Sequence, residues 1–314
     1  MRTRLLGNTE LELTVMGLGT WAIGGSWQFG WGPQDQKDSI ATILRAFELG
    51  INWIDTAAIY GCGDSEIAVG KALRVLKEKP IVATKCGIRW TNDRKAIRCI
   101  DHDSILAECD QSLKRLGLDV IDLYQIHWPT PDGKIEQAWE AMVKLKDAGK
   151  VRYIGVSNFS VSQLERICRI HPVASLQPPY SMLKRDIENE ILGYCKKNTI
   201  GVVCYSPLQK GLLTGRMTAE RIADLAPDDH RHNDPDFTEP RLSTNLELIE
   251  RLKPIADRNG RTLSQLAISW VLRRPEITSA IVGARRPQQL DETVRAVDWQ
   301  LGADEQEEIE HLLC

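Results

Sequence analysis

Two rhythms alternate along this chain. Short β-favouring apolar runs are followed by longer stretches whose apolar residues recur at helical spacing, and the two types take turns almost to the end. Residues 3–15 read as a hairpin: Arg4-Leu5-Leu6 and the alternating Glu10–Val15 flank a turn at Gly7-Asn8. Strands are then predicted at Ile51–Ile54, Pro80–Thr84, Val120–Ile126, Arg152–Val156, Ser175–Gln177, Val202–Tyr205 and Ser279–Val282. Helices are predicted between and after them, at Ser39–Leu49, Ser65–Leu76, Ser104–Leu116, Ile135–Ala148, Val161–Ile170, Ile187–Lys197, Asn245–Asn259, Ser264–Arg273 and Pro287–Val297. Strands regularly followed by helices argue for an α/β fold with a parallel sheet. Seven strands stand out after the hairpin; an eighth would be very short, near Arg261-Thr262-Leu263. Gln209–Arg241 is the one long irregular stretch, and a loop of that length inside a compact domain is usually functional.

Composition narrows the class. With 314 residues the chain is long enough for one large barrel domain, taken here as residues 1–314. A formal charge of −3, without a run of like charges, argues against a nucleic-acid partner. The eight cysteines are scattered without a C-x-x-C pair, which suits reduced thiols. The start of the chain has no apolar signal segment, and no stretch of 18 apolar residues occurs, so the expected location is cytoplasmic, with no membrane partner.

Polar residues stand where three successive apolar strands run out: Asp55, Lys85 and His127, with Tyr60 five residues beyond Asp55. In a parallel barrel all such ends open onto one face, about 4.8 Å from strand to strand. Singly, each has an ordinary reading: a cap, a solvated strand end, a loop aromatic, a core histidine. Together they suit carbonyl reduction. A carbonyl that accepts hydride needs a proton, and Tyr60 is the candidate acid. A free phenol has a pKa of about 10. An ammonium close by is expected to lower it, and about three units of lowering corresponds to about 4 kcal/mol. Lys85 would supply that charge, Asp55 would hold Lys85, and His127 would hydrogen-bond the carbonyl oxygen.

These residues carry a resemblance. Asp55-Thr56-Ala57 with Tyr60-Gly61, Thr84-Lys85, Asp122–Trp128, Ile154–Phe159 and Tyr205-Ser206-Pro207-Leu208 resemble the aldo-keto reductase family, in the family's order and over nearly the whole chain. Gln177–Tyr180 and Gly283–Pro287 are similar to the bacterial general-stress-protein type of NADPH-dependent reductase. The resemblance implies a (β/α)8 TIM barrel whose floor is closed by the N-terminal hairpin, with Asp55, Tyr60, Lys85 and His127 as catalytic tetrad.

It also implies a cofactor site. Ser157, Asn158 and Gln177 would meet the nicotinamide carboxamide, and Tyr205 would stack on its ring. Ser206, Pro207, Leu208, Gln209, Lys210 and Gly211 would follow the pyrophosphate. Gly283, Ala284 and Arg285 open the last predicted helix, and Arg285 or Arg286 would clamp a 2′-phosphate, making NADPH the expected cofactor. Many family members carry Arg and Asn where this chain has Gln289 and Thr293; Gln289 can still reach adenine. Gly17-Leu18-Gly19-Thr20 is not a dinucleotide fingerprint, because Ala22 stands where the third glycine is needed. Thr20 and Trp21 would instead border nicotinamide and substrate.

Nine tryptophans against four phenylalanines is an unusual balance. Trp21, Trp27 and Trp31, in a glycine-rich loop, are expected to line the barrel mouth with Trp90 and Trp128 as an aromatic substrate pocket, with Trp21, Trp90 and Trp128 over the tetrad, while Trp53, Trp139 and Trp270 are expected in the core. An aldehyde or ketone is the expected small-molecule substrate, and no cation is evidently placed for a carboxylate. His230-Arg231-His232 lacks a fixed third ligand and reads as solvated loop rather than a metal site. Two other functions suit a barrel of this kind: a nicotinamide-sensing regulatory subunit with little turnover, and a metal-dependent barrel hydrolase, which the strand ends do not equip. Oligomeric state is not legible.

Overall fold

The computed structural model describes residues 1–313; Cys314 lies outside the described residues. Strands β1 (Thr3–Leu5) and β2 (Glu12–Thr14) pair antiparallel as the expected hairpin. The chain continues through β3 (Met16–Gly19), β4 (Trp53–Asp55) and β5 (Ile81–Cys86), then a second hairpin, β6 (Ile88–Trp90) and β7 (Ala96–Arg98). There follow β8 (Ile121–Ile126), β9 (Val151–Ser157), β10 (Ser175–Gln177), β11 (Gly201–Cys204) and β12 (Ile277–Gly283). Eight parallel strands close into a barrel in the order β3-β4-β5-β8-β9-β10-β11-β12, with β12 returning to β3.

Helices surround it: α1 (Gln36–Glu48), α2 (Asp64–Val75), α3 (His102–Leu116), α4 (Ile135–Asp147), α5 (Val161–Cys168), α6 (Ile191–Lys197), α7 (Ala219–Ala223), α8 (Arg241–Arg258), α9 (Leu263–Leu272), α10 (Pro287–Thr293) and α11 (Ala303–Leu313). This is the (β/α)8 barrel. Among the described residues no helix is long and apolar enough to cross a membrane, and the seven described cysteines are free.

One expectation fails. The eighth strand is Met16–Gly19, directly after the hairpin, and not residues 261–263. Thr262 instead caps α9: its hydroxyl accepts the Gln265 N–H, and the Gln265 side chain accepts the Thr262 N–H in return. Two glycines hide β3 from a reading by β propensity. Gly17 has no side chain because a Cβ there would sit 2.1 Å from Cε2 of Trp53, the indole that fills the barrel beside it.

Side chains alternate across each strand. Ile54, Val82, Tyr124 and Val202 face the helices, and Trp53, Ala83, Leu123, Val203 and Ile281 face inward. Hairpin residues Leu6, Leu11 and Leu13 pack against that inner layer and seal the floor. Trp53 donates from Nε1 to the Thr14 carbonyl (3.2 Å), tying floor to wall.

The stretch 209–241 is not irregular throughout. It winds into short helical turns at Gln209–Thr214, His230–Asn233 and Pro235–Phe237, besides α7. Buried Arg231 pins it, paired with Asp229 (2.6 Å) and lying 4.5 Å over the Trp31 ring. The loop therefore docks on the segment that joins β3 to α1.

Candidate active site

The last inward position of each strand opens the site. Two residues beyond Trp53 stands Asp55, and two beyond Ala83 stands Lys85; His127 follows Leu123 by four. The lysine is wholly buried, and its ammonium has three partners: Asp55 Oδ2 (2.7 Å), the Thr56 carbonyl (2.9 Å) and the Tyr60 hydroxyl (3.2 Å). The other oxygen of Asp55 accepts from Gln177 Nε2 (2.8 Å). One continuous chain of polar contacts thus runs Gln177, Asp55, Lys85, Tyr60. The His127 ring stands nearly perpendicular to that of Tyr60, with centroids 5.7 Å apart.

Tyr60 reaches this point from a loop. Its N–H donates to the Ala57 carbonyl (3.1 Å), and the next residue, Gly61, has a left-handed backbone (φ 60°). A Cβ on Gly61 would lie 1.9 Å from the Gly24 carbonyl oxygen, so the loop packs this closely only as glycine.

The electrostatics depart from expectation. The Tyr60 phenol is pushed well above 10, by burial first and by the Asp55 charge second. Lys85 does not lower it because Asp55 answers the ammonium at 2.7 Å. The pair presents a small dipole to the phenol, and desolvation of a phenolate wins. Burial lowers the Lys85 pKa, against the opposing pull of Asp55. His127 is lowered well below 6.5 by burial, then by Lys85 and Arg98, so its imidazole is neutral.

A cavity of about 690 Å³ lies over these groups. Asp55, Tyr60 and His127 line it together with Trp21 and Trp128. So do Ser157, Asn158, Gln177, Tyr205, Ser206, Pro207, Leu208, Lys210, Gly211, Gly283 and Gln289. Several expected residues are placed elsewhere. Thr20 is buried behind Asp55, donating to its carbonyl (3.0 Å). Trp90 shares a strand face with Ile88 but lines a separate cavity, beside Arg115. Gln209 braces its loop, accepting from the Ser181 hydroxyl (3.0 Å) and donating to Asp236 (2.6 Å). Ala284 is buried. Arg285 donates to Gln34 Oε1 (2.7 Å) and to the carbonyls of Trp31 (2.9 Å) and Pro33, which fastens the β3–α1 segment. Gln289 Oε1 accepts the N–H groups of Arg285 (2.8 Å) and Arg286 (3.1 Å), the amides expected to face a phosphate.

Other lining residues escaped the sequence reading. Ile88, Ala96 and Arg98 come from the second hairpin, Phe29 from the β3–α1 segment, and His230 from the long loop. Alternation about Asn92-Asp93 was the available signal for the hairpin. The His230 ring nitrogens are not solvated: the ring packs tilted against Trp21, centroids 4.9 Å apart, and neither nitrogen has a partner.

Comparison with known proteins settles the kinship. Residues 15–313 match the model of the aldo/keto reductase family. Aldo-keto reductase YhdN of Bacillus subtilis is 42% identical over 98% of this chain and 92% of its own length. The NADH-specific methylglyoxal reductase of Escherichia coli is 38% identical over 93% of this chain and 92% of its own length. A glycerol dehydrogenase structure from Gluconobacter oxydans superposes with a TM-score of 0.89 at 37% identity, covering 99% of this chain and 94% of the other. The chain belongs to the aldo/keto reductase family.

Aldo/keto reductases are oxidoreductases that use nicotinamide cofactors, and the wall opposite Tyr60 fits such a group. In this reductase the Ser157 hydroxyl donates to the Gln177 carbonyl (2.8 Å), and Asn158 Nδ2 donates to the His127 carbonyl (3.0 Å). Tyr205 donates to Asn158 Oδ1 (2.8 Å), which holds its ring on the wall. Accepting capacity remains at Ser157 Oγ and at Gln177 Oε1, the complement of a carboxamide NH₂. Further along, Ser206, Gln209, Lys210 and Gly211 all have positive φ (56°, 43°, 53° and 101°), a tight run in which the Gln209 and Gly211 N–H groups donate to the Ser206 (2.9 Å) and Leu208 (3.0 Å) carbonyls.

Proposed function

We propose that this aldo/keto reductase, acting as one domain over residues 1–314, reduces aldehydes or ketones with NADPH, using Tyr60 as the acid. The chain Asp55–Lys85–Tyr60, closed at 2.7 and 3.2 Å, carries the reading. Ser157, Asn158, Gln177 and Tyr205 would hold the nicotinamide, which would supply hydride to the carbonyl carbon. The carbonyl π pair moves onto oxygen, and the Tyr60 hydroxyl delivers a proton there. Its raised pKa keeps the phenol protonated at neutral pH, and an alkoxide is a far stronger base than phenolate, so transfer runs downhill. The phenolate left behind lies against the Lys85 ammonium and recovers its proton from solvent. Neutral His127 donates a hydrogen bond to the carbonyl oxygen and orients it. Trp21, Trp27 and Trp128 supply apolar wall and displace water. Because the glycerol dehydrogenase neighbour is named for alcohol oxidation, the reverse direction is expected as well.

For the cofactor, Arg286 is the candidate for the 2′-phosphate, since the Arg285 guanidinium is already bound to carbonyls. Asp55, Tyr60, Lys85 and His127 are the proposed catalytic residues. The test is Tyr60→Phe. NADPH affinity, read from cofactor fluorescence, should stay within about threefold, while the reduction rate should fall by about 10²–10⁴. A variant that reduces an aldehyde at the wild-type rate would remove Tyr60 from its role.

A further inference from the structure

The cavity holds a cation that the chemistry above does not use. Arg98 ends β7 and lines the cavity on the side of His127 and Trp128, across from Tyr205 and the left-handed run. Its guanidinium lies 5.1 Å from the ring centroid of Trp128, the residue that directly follows His127. That cation–π contact holds the head group over the ring.

The other cavity cations are neutralised. Lys85 is paired with Asp55, and Lys210 with Asp234. Arg98 has no carboxylate and no hydrogen-bond acceptor within reach among the described residues, and it is the one cavity-lining Arg or Lys of which this is true. Its charge reaches the imidazole, for it contributes to the lowering of the His127 pKa. Arg98 is exposed at the rim, where water meets its charge until a substrate anion takes that place.

We propose that Arg98 is a specificity-determining residue, and that this reductase prefers carbonyl substrates bearing a carboxylate a few carbons from the carbonyl. The inference rests on the carbonyl-reductase reading and adds the substrate class. The fork–carboxylate match is bidentate, and one guanidinium answers one negative charge. A phosphate dianion asks for more donors than Arg98 offers, since no second unpaired cation lines this side. Between the two ends, Ile88, Ala96 and Trp128 give an apolar wall that suits a short methylene chain. The carbonyl end then lies at Tyr60 and His127, and the acid end at the rim.

The experiment compares ω-oxo-carboxylates of three to six carbons with uncharged aldehydes of equal length. In the wild type, kcat/KM for the best oxo-acid should exceed that of its uncharged counterpart by about tenfold or more, a charge-assisted bond of about 1.5–3 kcal/mol. That ratio should collapse toward one in Arg98→Gln, be kept only in part in Arg98→Lys, which retains the charge but not the fork, and fall below one in Arg98→Glu. High salt should shrink it, since the rim is wet. A wild-type ratio near one, or a ratio that Arg98→Gln leaves intact, overturns the assignment. Calorimetric titration of the NADP⁺ complex with the matching ω-hydroxy-carboxylate and with the corresponding diol gives a readout without turnover. Tighter binding of the acid, lost in Arg98→Gln, supports the site even if no carbonyl is reduced, a result that would instead sink the carbonyl-reductase reading. Equal binding of acid and diol counts against Arg98.

Discussion

At the scale of single residues, the site is a set of polar groups whose burial is tolerable only in company. Asp55 and Lys85 are both buried, and each satisfies the other. Removing one partner leaves an uncompensated charge, which costs about 3–5 kcal/mol. Asp55→Asn should lower the urea-unfolding stability by that order at pH 7. Part of it should return near pH 10, because Lys85 can then shed its proton; an equal deficit at both pH values would mean that the buried charge is not the cause. His230 supplies a second case. Burial, and then Lys210, lower its pKa to about 4. Between pH 6.5 and 4 the unfolded chain takes up a proton that the folded imidazole refuses, so stability falls with acid across that window. Allowing for partial solvent screening, the loss from this group is about 2 kcal/mol. Buried His127, lowered further by Lys85 and Arg98, pulls the same way. Chemical denaturation at pH 6.5 and 4.5 should show a smaller acid loss in His230→Gln than in the wild type, and identical losses would refute the assignment.

Elements explain why so much of this arrangement was legible in the sequence, and where legibility stopped. The inward residue at each strand end is fixed by a period of two, so Asp55, Lys85, His127, Ser157, Gln177 and Tyr205 fall on one face once their strands are recognised. Strand β3 was missed because its residues answer to tertiary contact: Gly17 yields its space to Trp53, and glycine carries no β signal. Gly17→Ala should therefore destabilise by at least about 1–3 kcal/mol, the usual cost of overpacking, as read by the thermal midpoint. An unchanged midpoint would show that Trp53 can move aside. The β6–β7 hairpin is only three residues a side, and Ile88 and Trp90, two apart on one face of β6, still line different cavities. Sequence distance placed Trp90 near Lys85, but which cavity it lines depends on its approach to Arg115, which is a tertiary contact and not a pattern. The raised pKa of Tyr60 was beyond reach for a related reason. It depends on how completely Asp55 cancels Lys85, which is a distance and not a pattern.

For the molecule as a whole, floor, wall and belt have separate tasks. The hairpin seals the bottom with Leu6, Leu11 and Leu13, the strands aim the polar groups upward, and the 209–241 loop crosses the mouth. That loop is held to the β3–α1 segment by Arg231 on Trp31, and the same segment is held from the other side by Arg285. The two adjacent arginines should accordingly behave differently. Arg286→Ala should weaken NADPH by about tenfold or more, the order of a lost charge-assisted bond, and leave NADH nearly unchanged. Arg285→Ala should weaken both cofactors together, by loosening the segment. Equal effects of Arg286→Ala on the two would place the 2′-phosphate elsewhere.

The identity of the proton donor is what everything else serves, and the pH dependence of kcat/KM for reduction tests it most directly. With the Tyr60 phenol held protonated by burial and His127 held neutral, the profile should be flat from about pH 6 to 9 and decline only in alkali, with Tyr60→Phe lowering it throughout. A decline centred between pH 6 and 8 that disappears in His127→Gln would make the imidazole the acid and contradict the account.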